Sequence, residues 1–399
     1  MYDAIIVGAR VAGASTAMLM ARRGLKVLVV DRAQFPSDTL STHQVQVPGV
    51  ARLRRWGLLD DVIAAGTPPT RRVRFDTGAA VLEGRWPEFE GADALYSPRR
   101  TILDTLLVDA ARAAGAEVRE RFKVDEILFD GGRVSGIRSG PVREQARLVV
   151  GADGRHSLVA KAVRPAAYRA IPPRTVAYYT YWAGVPGDEG RMYVRGDRMI
   201  GAWPTNDGLV MTYVAAPAAD FGAFRADPEG SLLEALDRTG ELGEQVRAGE
   251  RADRVKGTAD LPNRFHAPFG PGWALVGDAG LMMDPITGQG ITQAFRDAEL
   301  LAGAAAAGTP LEDYQRARDA DAQPIYDMTV DLASFAPPQV RQQLLFDALA
   351  DRPEEIERFF GVMNGSVPSG EYFAPRNLLR LLGPRGFMKA AVVGGRMAA

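Results

Sequence analysis

The chain has 399 residues, and its 48 basic and 49 acidic side chains give a formal net charge of −1. The near-equal numbers of basic and acidic side chains argue against a general nucleic-acid binder, because such proteins carry a basic excess. A hydrophobic fraction of 46% argues against a disordered chain. The absence of cysteine excludes disulfides, Cys-ligated zinc, iron–sulfur clusters and thiol chemistry.

The N-terminal residues predict a β-α-β unit. Residues 4–7 form an unbroken apolar run, which is typical of a parallel strand covered on both faces. Residues 14–23 are rich in Ala, Leu and Met and predict a helix that ends at Gly24. Residues 25–30 predict a second strand, so the two strands are expected to lie parallel in one sheet.

The turn between the first strand and the helix carries a glycine motif. It reads GARVAG from Gly8 to Gly13, and Asp31 follows the second strand. In such a turn, backbone amides and the positive end of the helix dipole face a pyrophosphate, and the acid accepts a hydrogen bond from a ribose hydroxyl. The motif therefore predicts a site for an ADP-containing dinucleotide.

One residue departs from this pattern, because Arg10 stands where the motif has its second glycine. In the functional interpretation, its guanidinium pairs with the pyrophosphate or reaches the far side of the cofactor. In the alternative interpretation, the loop is degenerate and binds the cofactor poorly.

The rest of the chain predicts three regions in order. Helices are predicted at 48–59 and 101–114, and strands at 118–124, 126–129, 133–137 and 148–150, with a hairpin turn at 130–133. Short aromatic and Met-bearing segments between turns predict an antiparallel sheet from 172 to 260. A buried strand at 273–276, a helix at 291–307 and a mostly helical segment at 311–383 follow, with breaks at Pro337-Pro338 and Pro368.

Two further turns follow predicted parallel strands. Asp153 lies in the turn Gly-Ala-Asp-Gly that ends at Gly154, and Asp278 follows the strand at 273–276. The carboxyl ends of parallel strands are where doubly wound sheets bind ligands. Gly288-Gln289-Gly290 allows close backbone approach to a flat ligand, and the helix after it directs its positive end there, which stabilises a developing anion.

The glycine motif, the turn at Asp153 and the segment from Asp278 to Gly290 occur in an order that resembles the FAD-binding fold of class A flavoprotein monooxygenases. These are aromatic hydroxylases and relatives that share their fold with geranylgeranyl reductase-like proteins. The resemblance covers residues 1 to about 310. It implies an α/β fold with three parts. These are a Rossmann-like FAD-binding domain (1–75, 96–170 and 262–310), an inserted antiparallel-sheet substrate domain (76–95 and 171–261) and a C-terminal helical region (311–399).

The resemblance also implies a set of FAD contacts. Asp31 would bind the adenosine ribose, Asp278 the ribityl chain and Arg100 the phosphates, with Arg99 as the competitor for that role. Asp153 would belong to a motif associated with the use of FAD and NAD(P)H. The complete implied set is Gly8, Arg10, Val11, Ala12, Gly13, Asp31, Arg32, Arg100, Val124, Asp153, Asp278, Gly288, Gln289, Gly290 and Ile291.

The catalytic and substrate residues are predicted from the same resemblance. His43 and Gln44 either touch the flavin ring or substrate or only stabilise their loop, and Pro285 would line the isoalloxazine. Alternating aromatics on a sheet more often form an ordinary core, but one face of this antiparallel sheet covers the flavin in relatives. The candidates for the substrate wall are Tyr179, Tyr181, Trp203, Met211 and Tyr213.

The leading functional hypothesis is a monooxygenase in which NAD(P)H reduces FAD and a C4a-hydroperoxyflavin hydroxylates or epoxidises a hydrophobic or aromatic small molecule. The alternatives are reduction of isoprenoid double bonds, as in geranylgeranyl reductases, and a catalytically silent dinucleotide-binding protein. The halogenating members of this family use a lysine near the flavin and a Trp-x-Trp-x-Ile-Pro segment. Halogenation is disfavoured here, because the chain has no such segment and no lysine between Lys26 and Lys123. We expect no metal site, no nucleic-acid partner, no membrane span, a cytoplasmic location and a monomer or homodimer.

Overall fold

The structure is a computed structural model that describes residues 1–336 and 340–395. The predicted break at Pro337-Pro338 lies outside these residues. The strands are β1 (Tyr2–Val7), β2 (Val27–Val30), β3 (Pro69–Thr70), β4 (Arg72–Asp76), β5 (Val81–Arg85), β6 (Leu95–Tyr96), β7 (Glu117–Arg119), β8 (Glu126–Asp130), β9 (Arg133–Ser139), β10 (Val142–Gly151), β11 (Ala167–Ile171), β12 (Thr175–Ala183), β13 (Gly190–Arg195), β14 (Arg198–Pro204), β15 (Val210–Pro217), β16 (Glu250–Arg251), β17 (Lys256–Thr258), β18 (Asn263–His266), β19 (Phe269–Gly270), β20 (Trp273–Leu275) and β21 (Leu281–Met282). The helices are α1 (Val11–Ala21), α2 (Val47–Trp56), α3 (Leu59–Ala64), α4 (Arg100–Ala113), α5 (Leu158–Val163), α6 (Phe221–Ala226), α7 (Pro228–Asp237), α8 (Glu241–Ala248), α9 (Gly290–Ala307), α10 (Leu311–Leu332), α11 (Val340–Leu349), α12 (Pro353–Asn364), α13 (Ser369–Tyr372) and α14 (Pro375–Gly395).

The first sheet is largely parallel, and it confirms the predicted α/β class. Its strand order is β19-β20-β10-β1-β2-β7, and Ile5 of β1 pairs with Leu28 of β2 and Val149 of β10. Alternate residues of β1 pack into different cores. Ile6 lies among residues of α1, α4 and α9, whereas Ile5 lies under α5 and the β8–β9 hairpin. Both faces are covered, which explains the unbroken apolar runs of these strands.

The second sheet is antiparallel over most of its width, with the order β16-β12-β15-β14-β13-β4-β5. One face of β12, β14 and β15 joins the main core, and the other face packs against α6, α7 and α8. These helices correct the prediction of sheet structure throughout 172–260. The missed signal is Asp227-Pro228, where the Asp227 side chain accepts from the Gly230 amide and begins α7.

A second correction concerns the strand that we predicted over residues 118–124. The strand β7 ends at Arg119, and Arg121 has a left-handed φ of +54°. The amides of Arg121 and Phe122 donate to the carbonyls of Ala33 and Asp31, in the loop that follows β2. The backbone groups therefore bond outside the sheet ladder, although the sequence retains apolar alternation.

The C-terminal part is mostly helical, as the sequence predicts, and α12 ends before the predicted break at Pro368. The helix α10 is tied to the first sheet because the Tyr314 hydroxyl donates to the Leu275 carbonyl of β20 at 2.8 Å. The helix α12 lies against β5, where Gly84 faces Ile356 and Phe360. Among the described residues, no helix has both the length and the apolar character that a bilayer crossing requires.

Candidate cofactor and substrate site

The glycine turn after β1 brings strand and helix so close that side chains are excluded. Gly8 has a φ of +100°, and a Cβ there would lie 2.6 Å from the carbonyl oxygen of Ala152. A Cβ on Gly13 would lie 1.7 Å from the carbonyl oxygen of Gly8. The helix α1 starts at Val11 with no side-chain cap and no acid in its first turn. Its first amides are therefore available to an anion such as a pyrophosphate.

The carboxylate of Asp31 holds the same turn from the end of β2. The amide of Ala9 donates to its Oδ2 and the amide of Ala33 to its Oδ1, each at 2.8 Å. Each carboxylate oxygen keeps a further lone pair for a ribose hydroxyl. Arg32 beside it is exposed, and Val124 is half-buried near the sheet face formed by Ile5.

Two arginines share one buried carboxylate at the start of α4. Arg100 binds Asp104 through its Nε and Nη2 at 3.0 Å each, and Arg10 binds the same carboxylate through its Nη1 at 2.8 Å. Asp104 is fully buried, so two cations against one anion leave net positive charge near the glycine turn. Arg99 instead lies over the ring of Tyr181, with its guanidinium carbon 4.6 Å from the centroid.

The turn after β10 lies against the glycine turn. A Cβ on Gly8 would lie 3.0 Å from the Cα of Asp153. The Asp153 carboxylate accepts from the Leu158 amide at 2.6 Å and from the hydroxyl of Ser157, which caps α5 by accepting from the Ala160 amide. Burial raises the pKa of this carboxyl above its ordinary value. In the structure, Asp153 thus stabilises a helix start beside the predicted dinucleotide site.

The turn after β20 presents Asp278 to solvent beside the start of α1. Gly277 has a φ of +57°, and its amide donates to the buried Asp297 carboxylate of α9 at 2.9 Å. A Cβ on Gly277 would lie 2.9 Å from the Cβ of Ala12. The exposed Asp278 is therefore held next to α1, where it can accept hydrogen bonds from a polyol chain.

The start of α9 faces the loop before α2. Gly288 has a φ of +63°, and a Cβ there would lie 1.8 Å from Oε1 of Gln44. Gln46 donates through Nε2 to Gln44 Oε1 at 3.3 Å and to the Thr287 carbonyl at 3.4 Å. Gln289 precedes α9 without capping it, and its Nε2 donates to the Met363 carbonyl at 3.1 Å. The free amides of α9 therefore favour negative charge at this position.

His43 is fully buried and has a left-handed φ of +61°, which is uncommon for a residue other than glycine. Its Nε2 is hydrogen-bonded to the hydroxyl of Tyr181, and its ring meets Tyr179 edge-on at 5.7 Å. Burial, aided by the positive charge of Arg100, lowers the pKa of His43 to about 3. The imidazole is therefore neutral at ordinary pH and stabilises the loop from the side of the sheet.

A cavity of about 50 Å³, which widens into about 620 Å³ of empty space when its open mouth is included, lies between this loop, the antiparallel sheet and the C-terminal helices. Small-molecule sites usually enclose about 300 Å³ or more, so a ligand would have to displace side chains that line this cavity. Five methionines of the described part of the chain line it. The lining residues are Thr42, Gln44, Gln46, Trp86, Met192, Met199, Ile200, Gly201, Trp203, Met211, Tyr213, Pro285, Ile286, Thr287, Met328, Leu332 and Met363.

The predicted substrate residues divide into two groups. Trp203, Met211 and Tyr213 line the cavity, together with Gln44 and Pro285. Tyr179 and Tyr181 lie on the same face of the sheet but contact His43 instead. The loop that carries His43 causes this difference, because it covers the two tyrosines of β12 and leaves the side chains of β14 and β15 facing the cavity.

Two glycines make room for the indole of Trp203 in this cavity. A Cβ on Gly190 would lie 2.1 Å from that ring, and one on Gly201 would lie 2.8 Å from its Nε1. The indole of Trp86 stacks on Trp203 with centroids 6.5 Å apart. Sequence reasoning missed Trp86, Gln46 and the methionines of α10 and α12. The Gln-Val-Gln alternation at 44–46 was a usable signal, since alternate residues of an extended segment share a face.

The residues present fit an FAD molecule in extended form. The glycine turn with Arg100 suits a pyrophosphate, Asp31 and Asp278 suit the ribose and the ribityl chain, and the cleft beside Gly288 suits a flat ring. The fit rests on the two positions in the glycine turn that a Cβ would block and on the two helix starts without caps.

Comparisons with known proteins agree with this geometry. A family profile described as "FAD binding domain" matches residues 1–216, which is more than half of the chain. A digeranylgeranylglycerophospholipid reductase from Methanosarcina acetivorans is 26% identical over 318 residues, covering 77% of this chain and 75% of the reductase. A menaquinone reductase from Mycolicibacterium smegmatis is 30% identical over 322 residues, covering 75% of each protein.

Among solved structures, the flavin-dependent brominase Bmp2 superimposes with a TM-score of 0.81 over 99% of each chain, at 20% sequence identity. At this identity, the likeness shows a shared fold and nothing about the reaction.

Proposed function

The chain belongs to the FAD-binding domain family of oxidoreductases, and from this premise we propose that it reduces carbon–carbon double bonds in a hydrophobic, isoprenoid-like molecule bound in the methionine-lined cavity. The observation that carries the proposal is the cavity itself, with its thioether and indole walls beside the start of α9. The two relatives described above, each matched over about three quarters of its length, are both named as reductases, and the name of the first includes geranylgeranyl chains, which supports reduction of an isoprenoid-like molecule.

The cavity suits a flexible apolar chain better than a rigid one. Methionine is unbranched and polarisable, so five methionines can adapt to a substrate of irregular shape. They come from β13, β14, β15, α10 and α12, so the walls surround the ligand from several sides. The buried glutamines at 44 and 46 provide the polar border toward the cofactor cleft.

When bound, FAD supplies the hydride chemistry, and we propose NAD(P)H as the source of reducing equivalents. The chain contributes orientation and exclusion of water. The amides at the start of α9 stabilise negative charge next to Gly288, and Trp86 and Trp203 close the apolar side. Reduction of the double bond adds one hydride and one proton to the substrate.

Monooxygenation, the leading hypothesis from the sequence motifs, is the second candidate. The stacked pair Trp86–Trp203 favours it, because parallel indoles also suit a flat aromatic substrate. An oxygen transfer in this cavity would take place beside five thioethers, which oxidants convert to sulfoxides. This exposure is why we place reduction first.

The mass of the product separates the two reactions. The FAD-loaded chain is incubated with NADPH and geranylgeraniol, without oxygen and then with it, and the product is analysed by mass spectrometry. We expect a gain of two hydrogen atoms in both conditions. A gain of one oxygen atom, found only in air, would replace reduction by monooxygenation.

A cavity variant and a surface variant control this assay. Gly201→Leu places a side chain in the cavity against Trp203, so turnover should be lost while FAD stays bound. Gly222→Leu adds the same side chain at an exposed position with open space around it and should keep wild-type turnover. Equal turnover by both variants would show that the substrate binds elsewhere.

A further inference from the structure

The contacts of Arg10 explain why a long side chain stands in the dinucleotide turn. Its Nη1 donates to Oδ2 of Asp104 at 2.8 Å and to the carbonyl of Ser37 at 3.0 Å. Its Nη2 donates to the Ser37 hydroxyl at 3.0 Å and to the carbonyl of Asp38 at 3.1 Å. A guanidinium has four N–H groups on its terminal nitrogens. All four of them are thus directed at protein acceptors.

Arg100 contrasts with Arg10 at the same carboxylate. It binds Asp104 through Nε and one N–H of Nη2, so its Nη1 points to no acceptor within the described part of the chain. Asp104 is fully buried and needs a cation, and the two arginines together exceed its charge. Arg100 can therefore bind a phosphate oxygen without giving up its carboxylate, whereas Arg10 would have to break existing hydrogen bonds.

The segment that Arg10 binds, residues 37–46, also contacts the antiparallel sheet; we call it the bridging segment. Lys256 of β17 donates from Nζ to Oδ2 of Asp38 at 2.7 Å. Five residues further on, His43 is hydrogen-bonded to Tyr181 of β12. At its end, Gln44 and Gln46 line the cavity. The bridging segment is thus fixed to the FAD-binding part at one end and to the sheet along its length.

We propose that Arg10 is a positioning residue that fastens the bridging segment to the dinucleotide turn and so holds Gln44 and Gln46 at the cofactor cleft, and that it is not a phosphate ligand. Arg10, which replaces the second glycine of the motif, then connects the dinucleotide turn to the bridging segment beside the cavity. The inference rests on FAD binding in the proposed function and is independent of which reaction takes place.

Binding of ADP and the spectrum of bound FAD test the two roles separately. ADP contains the pyrophosphate but no flavin, so its dissociation constant for the full-length chain stripped of FAD reports phosphate contacts alone. The visible circular dichroism of rebound FAD reports the surroundings of the ring. Three variants are compared with the wild type: Arg100→Gln, Arg10→Gln and Arg10→Lys.

We expect Arg100→Gln to weaken ADP binding about tenfold or more, as the loss of a charge-assisted hydrogen bond does. Arg10→Gln should leave the ADP dissociation constant within about threefold of wild type, because it removes no contact to the phosphates and only lowers the positive charge near the glycine turn. It should nevertheless change the visible circular dichroism of bound FAD. Arg10→Lys should give the same altered spectrum, since an ammonium cannot span both Asp104 and the Ser37–Asp38 backbone.

Two results would overturn the inference: ADP binding that weakens equally in Arg10→Gln and Arg100→Gln, or a wild-type flavin spectrum in both Arg10 variants. If Arg10→Gln fails to fold, Ser37→Ala removes one acceptor of the same guanidinium and should shift the spectrum in the same direction. An unchanged spectrum in that variant would also contradict the inference. A wild-type chain that binds neither ADP nor FAD would instead refute the proposed function.

Discussion

The carboxyl group of Asp284 provides a quantitative test, because it is buried and no basic side chain of the described residues contacts it. It is 1% exposed, it accepts from the Ile286 amide at 3.0 Å, and it is hydrogen-bonded to the Thr175 hydroxyl. Burial raises the pKa of Asp284 from its ordinary 3.8 to about 6. Each unit of pKa corresponds to about 1.4 kcal/mol, so the shift amounts to roughly 3 kcal/mol.

The direction of the pH effect follows from proton binding. Between these two pKa values, the folded chain keeps a proton that the unfolded chain has released. The free energy of unfolding therefore falls as pH rises from about 4 to about 6 and stays at the lower level above that. Asp284→Asn has no titrating group at this position. Relative to this variant, the wild type should lose about 3 kcal/mol between pH 4 and pH 7.

Urea unfolding of the FAD-saturated proteins at several pH values measures this difference. Asp237→Asn is the control, because the hydrogen bond from Arg247 lowers the pKa of Asp237. For that pair, the wild type should gain stability relative to its variant as pH rises through the acid range, and the change should be small since Asp237 is half-exposed. A difference between wild type and Asp284→Asn that stays constant from pH 4 to pH 8 would refute the reasoning.

Three further predictions concern the glycine turn, the cavity and His43. Gly13→Ala places a Cβ 1.7 Å from the Gly8 carbonyl oxygen, so the affinity for FAD should fall about tenfold or more in a fluorescence titration. The control Gly303→Ala adds a Cβ in open space and should retain the wild-type affinity for FAD. Trp203→Ala removes a buried indole and should lower the free energy of unfolding by about 3 to 5 kcal/mol; a loss below 1 kcal/mol would contradict its place in the core. Because burial lowers the pKa of His43 to about 3, a plot of kcat/KM against pH should show no inflection from this residue between about pH 5 and pH 8. An inflection in that range that is present in the wild type and absent in His43→Gln would contradict this.

The dinucleotide half of the site was predictable because its signals are local. The apolar runs, the spacing of the glycines and the acid after the second strand all lie within one β-α-β unit, and the structure places Gly8, Gly13 and Asp31 together. The partner of Arg10 was not predictable. Asp104 lies within a helix far along the chain, and nothing in the sequence distinguishes it from an exposed helical acid.

The cavity was only partly predictable, because it depends on contacts between distant elements. Alternation in β12 and β15 places Tyr181 and Met211 on one face, but only the position of the bridging segment decides which of them faces the cavity. Met328 and Met363 lie in segments that the sequence describes simply as helical. Their meeting with β14 follows from the packing of α10 and α12, which has no local signature.

The walls of the cavity come from two parts of the chain, one inside the matched family profile and one beyond it. The family profile ends at residue 216, whereas Met328, Leu332 and Met363 contribute from beyond it. Substitutions in α10 and α12 can reshape this wall without touching the glycine turn, Asp31 or Arg100. Under the proposed function, such substitutions would change the molecules that the cavity accepts while the cofactor contacts are retained, so the helical tail is where a search for altered specificity should begin.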